Sequence, residues 1–318
     1  MYSYSRFAGV LGCIAALAIA GCASNGVAPP MGSMAQPQVR GGISLTSGWV
    51  HKDGIVYHVP HYMATRQMAS RQVTPALLLN YYGGAVEVTP VTYLIFWNYT
   101  RNGDSKGVKP LLQTYTTNMG GSGHNNIYDQ YYELNGSTQV FITNPSHQYG
   151  GSWEDDSNPT PRHPTDAQVA AEALRGVSHF GYNASATYVV ATPHGHSSSG
   201  FGTQFCAYHS STLSSGRLVA YTNLPYMPDA GGNCGSNIIS PPSDESGVDE
   251  GVTIVQGHEQ GEAVTDPNPP NGWYNYSYGE IGDICAWTNI QNDPFGSKSY
   301  SMQPMFSNAS QSCVHTYP

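Results

Sequence analysis

His258, Glu259 and Glu262 stand in an H-E-x-x-E spacing, within a stretch that reads as a helix closed by Pro267. Residues four apart share one helical face, so His258 and Glu262 can reach the same object. An imidazole nitrogen and a carboxylate oxygen so placed are ligands for a metal ion, zinc first among them. Glu259 projects to one side, where a general base must sit to take a proton from water polarised by the ion. The common zinc-hydrolase spacing H-E-x-x-H ends in histidine, and here Glu262 takes that place.

Two ligands do not hold a metal, so the motif calls for a third. Glu280 and Asp283, in Gly279-Glu280-Ile281-Gly282-Asp283, are three apart and can both face the motif from one helical turn. Either supplies the third oxygen, and the other would steady an imidazole. Asp266 is a further candidate, although duty at the helix end explains it more cheaply. His194 and His196 are another, in a Gly/Ser-rich loop. One histidine with two carboxylates makes a weaker Lewis acid than three imidazoles, and it admits Mn²⁺ or Ca²⁺ as well as zinc. Tyr274, with Tyr276, Tyr278 and His315 as alternatives, would hydrogen-bond to a developing oxyanion.

The same residues could also form an ordinary polar helix face. Against that, charged residues make up only 10% of the chain, yet His258, Glu259, Glu262, Asp266, Glu280 and Asp283 all crowd into one short region. Gly257 and Gly261 each cost about 1 kcal/mol of helix propensity. That cost makes sense if another backbone or a substrate approaches closely.

The motif helix is expected from about Asp249 to Thr265, capped by Ser243, Asp244 or Ser246. Val91–Trp97, Thr138–Ile142 and Ala186–Ala191 are apolar, β-rich runs and read as strands, the first and last fully buried. Helices are expected over Gly107–Thr117 and from the capping box at Thr165-Asp166-Ala167-Gln168 to about His179. Gln204–His209 and Leu218–Thr222 read as two further strands with antiparallel character. The expected fold is α/β or α+β, a mixed sheet packed with helices and rich in loops.

Arg6 followed by the apolar run Phe7–Ala20 is a signal segment too short to span a bilayer. It ends in Ile19-Ala20-Gly21-Cys22, a lipobox pattern that predicts cleavage before Cys22 and a lipid on its sulfur. An ordinary secretory signal is the other reading, and either places the mature chain outside the cytoplasm, lipid-anchored to the cell envelope (outer membrane) or secreted. Of the remaining cysteines, Cys206 is expected to pair with Cys234 and Cys285 with Cys313. The organisation read from composition is a signal segment 1–21, a flexible tether 22–45, an N-terminal extension or pro-segment 46–78, and a globular domain 79–318; within 46–78, Trp49-Val50-His51 and Ile55–Val59 read either as a small hairpin or as part of a pro-segment. A formal net charge of −9 with few lysines excludes nucleic acid as a natural partner.

Locally, His258 to Asp266 resembles the active-site helix of thermolysin-type zincins, whose third ligand is a glutamate on a following helix. That resemblance implies a third ligand near Glu280 to Asp283. More widely, the chain resembles the Exordium, or phosphate-induced protein, family and its bacterial relatives. The likeness runs through Tyr81-Tyr82-Gly83-Gly84, Tyr93–Trp97, Phe205-Cys206-Ala207-Tyr208-His209, His258–Pro267, Trp273-Tyr274, Glu280–Cys285 and Gln303–Ala309 with Cys313. It implies an extracellular protein without a firmly assigned reaction. The expected function is a metal-dependent hydrolase, a zinc metallopeptidase acting on a peptide or protein with Glu259 as base. The rival is a non-catalytic binding module for a cell-surface polymer. Membrane contact is expected only through the N-terminal lipid.

Overall fold

The computed structural model describes residues 48–52, 55–69 and 78–318. The expected signal segment 1–21, the expected lipidation site Cys22 and the expected tether 22–45 lie outside the described residues. Of the two readings of 46–78, the hairpin is the one seen, with Gly48–Lys52 antiparallel to Ile55–Val59.

The centre is a six-stranded sheet built from β1 (His61–Ala64), β2 (Val91–Trp97), β3 (Tyr149–Asp155), β4 (Ala186–Ala191), β5 (Phe205–Ser214) and β6 (Arg217–Leu224). Their order is β1-β5-β6-β4-β2-β3. Strands β6, β4, β2 and β3 run parallel, and β5 and β1 complete the sheet in antiparallel sense. The mixed α+β architecture expected from the sequence is therefore present. Thr138–Phe141 forms a strand as expected, but in a separate hairpin with Tyr132–Asn135.

Three helices cover the sheet: α1 (Val108–Met119), α2 (Asp166–Phe180) and α3 (Glu250–Thr265). Side-chain alternation in the strands decides which face each one meets. Ile95 and Trp97 of β2, with Tyr188 and Val190 of β4, pack against Val169, Ala173 and Val177 of α2. Leu94, Phe96, Val189 and Ala207 point the other way, onto Leu112 of α1 and Val252 and Val255 of α3. The capping box forms as read: Gln168 N–H donates to the Thr165 hydroxyl, and the Gln168 side chain accepts from Thr165 N–H.

Helix α3 is buried along its whole length. A helix buried on all sides is ordinarily apolar all round, so its polar residues need partners from neighbouring elements. Its cap differs from the expectation. Ser246 starts a short 3₁₀ turn, Gly247–Asp249, and Asp249 is the N-cap of α3 without a side-chain cap bond. The glycines also serve a different purpose from the one expected. A Cβ on Gly257 would strike Met302 Cε at 2.3 Å and one on Gly261 would meet the Tyr128 hydroxyl at 3.0 Å, so core side chains occupy the space.

The disulfides Cys206–Cys234 and Cys285–Cys313 are formed as expected. Each closes a separation of 28 residues, which by loop entropy is worth about 3–4 kcal/mol.

Candidate metal centre

Helix α3 presents His258, Glu259 and Glu262 to the open end of the β1–β5 pair, all fully buried. Glu280 and the Asp283–Cys285 turn close over them from the C-terminal side. Gly282 makes this approach possible: a Cβ there would meet His258 Nδ1 at 2.7 Å and Glu262 Oε1 at 3.0 Å. Asp283 N–H donates to Glu262 Oε1 at 3.1 Å, and Gln303 Nε2 donates to the Gly282 carbonyl at 2.9 Å. The structure thus brings together His258, Glu259, Glu262, Glu280 and Asp283, the residues that the motif and its sequel pointed to.

It adds two histidines that sequence reasoning did not select. His61 on β1 and His209 on β5 are direct cross-strand partners, with ring centroids 5.6 Å apart. Alternation puts both on the α3 face, beside Met63 and Ala207. His61 Nε2 lies 2.6 Å from Asp283 Oδ2 and 3.2 Å from Glu280 Oε2. His209 Nδ1 lies 3.4 Å from both Glu259 Oε2 and Glu262 Oε2, and its Nε2 is 3.6 Å from Glu280 Oε2. His258 Nε2 lies 3.0 Å from Glu262 Oε1 and 3.8 Å from Asp283 Oδ1. The available signal was a lone histidine at an inward position of each apolar strand. His61 lies in the stretch read as an N-terminal extension, yet β1 is hydrogen-bonded into the sheet.

The remaining candidates are placed elsewhere or at the rim. Tyr274 is buried and meets the His61 ring edge-on at 6.0 Å. Tyr276 is exposed and meets the Tyr82 ring edge-on at 4.9 Å. Asp266 is the helix C-cap and accepts from Gly272 N–H at 2.8 Å, as helix-end duty required. His194 is exposed and pairs with Asp229. His315 does not join the cluster: its Nδ1 faces Asp293 at 2.7 Å and its Nε2 faces the Asn289 carbonyl.

Three imidazoles and four carboxylates therefore share one buried space. Among the described residues no lysine or arginine forms an ion pair with any of the four carboxylates. Their close approaches largely lack hydrogen-bond geometry. Both ring nitrogens of His209 and His258, both oxygens of Glu259 and Glu280, Glu262 Oε2 and His61 Nδ1 have no hydrogen-bond partner. Leaving such groups buried and unpaired is costly, each on the order of 1–3 kcal/mol and more when charged.

The electrostatics follow from this crowding. Burial alone would push His61 down, but the charges of Glu280, Asp283 and Glu262 overcome it and hold the ring up at about 10. His258 is likewise held at about 9, burial being outweighed by Glu262. Burial lifts Glu280 to about 7, against the opposing pull of His61 and His209. Burial also raises Glu259, while His258 and His61 outweigh burial at Glu262 and hold it well below the usual carboxylate range. A divalent cation fits this donor set: the imidazoles and carboxylates converge, and His61, Glu262 and Glu280, or His258, Glu262 and Asp283, lie within coordinating reach of one another.

No protein-family model matches the chain. No solved structure matches it either. It is similar to Protein EXORDIUM-like 5 of Arabidopsis thaliana, 31% identical over 144 residues, which covers 38% of this chain and 38% of that protein. That partial likeness supports the Exordium resemblance of the sequence, and with two disulfides it is consistent with an extracellular protein.

Proposed function

We propose that the protein is an extracytoplasmic metal-dependent hydrolase, a zincin-like metallopeptidase in which Glu259 is the general base. The observation that supports this reading is the set of converging, buried and unpartnered imidazoles and carboxylates around the H-E-x-x-E helix. His258 and Glu262 would hold zinc, with Glu280 or Asp283 completing the set. A zinc ion there would polarise a scissile carbonyl and acidify water at neutral pH.

The chain's own groups supply the rest. Glu259 has both oxygens free to accept a proton, and its raised affinity for protons suits a group that takes one and returns it to a leaving amine. His209 Nδ1, 3.4 Å from Glu259 Oε2, orients that carboxylate. Tyr274, on the edge of the His61 ring, is the group closest to hand for the oxyanion. The substrate class is a peptide or protein outside the cytoplasm, met by a chain anchored through lipid on Cys22.

Complete burial of His258, Glu259, Glu262 and Glu280 favours the second reading. Structural metal sites are closed, whereas catalytic sites keep an open position. In that case the ion is structural and the protein is a binding module for a cell-surface polymer. Glu259→Gln separates the two. The hydrolase reading expects peptide cleavage to fall by at least about 100-fold, with metal content and melting temperature retained. If the zinc-loaded wild type cleaves no peptide in a broad substrate screen, the binding-module reading replaces it.

A further inference from the structure

Two carboxylates of the cluster are divided between different histidines. Glu262 directs Oε1 to His258 Nε2 at 3.0 Å, and Oε2 towards His209 Nδ1 at 3.4 Å and His61 Nε2 at 3.9 Å. Asp283 is split the same way, with Oδ1 3.8 Å from His258 Nε2 and Oδ2 2.6 Å from His61 Nε2. Glu280 faces only the His61 and His209 side. A carboxylate that ligates one ion has no need to present its second oxygen to a second imidazole. Two carboxylates doing so is the arrangement of bridging ligands, which hold paired metal ions about 3.5–4 Å apart.

We propose that the cluster is a dinuclear site for divalent cations. The first ion sits at His258, the second at His61 and Glu280, and Glu262 and Asp283 bridge them. His209 stays outside both sets as a positioning residue, its Nδ1 3.4 Å from Glu259 Oε2 and Glu262 Oε2. This rests on the reading that the cluster binds metal at all, and it extends that reading from one ion to two. It also gives β1 a role: the strand delivers a ligand that no residue of α3 or the Glu280–Asp283 segment replaces.

The test is the metal stoichiometry of the full chain, stripped with chelator and titrated with Mn²⁺ or Zn²⁺. Two equivalents per chain are expected, with the Mn²⁺ form giving the electron paramagnetic resonance signal of a spin-coupled pair. His61→Ala and Glu280→Gln should each retain one equivalent and give the signal of an isolated ion. One equivalent in the wild type overturns the dinuclear site and leaves the single-metal reading standing, whether or not His61→Ala loses it. No bound metal overturns both. Should His61→Ala fail to fold, the wild-type titration and its coupling signal decide the question alone.

Discussion

Among the described residues, two buried clusters of histidine and acid differ in how their polar atoms are satisfied. At His124, Asp293 and His315 one carboxylate serves two rings. Asp293 Oδ2 faces His124 Nδ1 at 3.2 Å and His315 Nδ1 at 2.7 Å, and its Oδ1 accepts from Gln291 Nε2 at 2.8 Å. Both His315 nitrogens face oxygens, Nδ1 at Asp293 and Nε2 at the Asn289 carbonyl. At His258, four carboxylates meet three rings and most of the atoms lack partners. Residue type and proximity are shared by the two clusters. What separates them is the count of acids against donors, so unsatisfied charge marks the candidate metal site better than composition does.

The largest effect should come from removing metal. Saturating metal should raise the melting temperature of the wild type by about 10 °C, since binding at a hundred to a thousand times Kd adds about 3–4 kcal/mol. His258→Ala should shrink that shift and lower metal uptake, while the double variant His124→Ala with His315→Ala should keep both at the wild-type level. Loss of metal from the double variant, measured by elemental analysis, would show that the distinction between the clusters is wrong.

The sequence carried the motif half of this site and not the sheet half, for a physical reason. His258, Glu259, Glu262, Glu280 and Asp283 stand out because charged residues are scarce and because local spacing places them on one face and one turn. His61 and His209 meet only through long-range strand pairing, and nothing local in either segment specifies that register. Val91–Trp97 and Ala186–Ala191 were legible to the residue because strands buried on both faces read as continuous apolar runs. Tyr149–Asp155 was not, because its glycines disguise it: a Cβ on Gly150 would strike the Tyr93 ring at 2.4 Å. The disulfides were legible from spacing and compartment, and they brace the strand that carries His209 and the turn that carries Asp283.

A smaller and graded effect should separate the clusters by pH. Without metal, His61 and His258 are raised to about 10 and about 9 from an ordinary 6.5. A base whose folded value is raised adds stability that is complete below pH 6.5 and lost as pH rises through the folded value. The metal-free protein should therefore lose thermal stability between pH 6.5 and 10. Metal needs the same rings neutral, so its affinity should rise over that range and the gap in melting temperature between loaded and stripped protein should widen. A gap that stays constant from pH 6.5 to 9 would mean that these rings do not bind the metal.

The smallest effect belongs to the second cluster, where only His124 Nε2 lacks a partner among the ring and carboxylate atoms, and it has the opposite pH sense. Asp293→Asn leaves His124 and His315 without their shared carboxylate, which should cost about 1–3 kcal/mol and lower the melting temperature by several degrees while metal content stays that of the wild type. Although burial opposes it, hydrogen bonds from His124 and His315 hold Asp293 below its ordinary 3.8. An acid whose folded value is depressed stabilises fully above its unfolded value and ceases to do so as pH falls through the folded one. The difference between wild type and Asp293→Asn should therefore be constant above pH 5 and shrink below pH 3.8. Melting curves of both proteins across that range read it directly. If Asp293→Asn instead loses metal at neutral pH, the second cluster is itself a binding site and charge satisfaction is not what distinguishes the two.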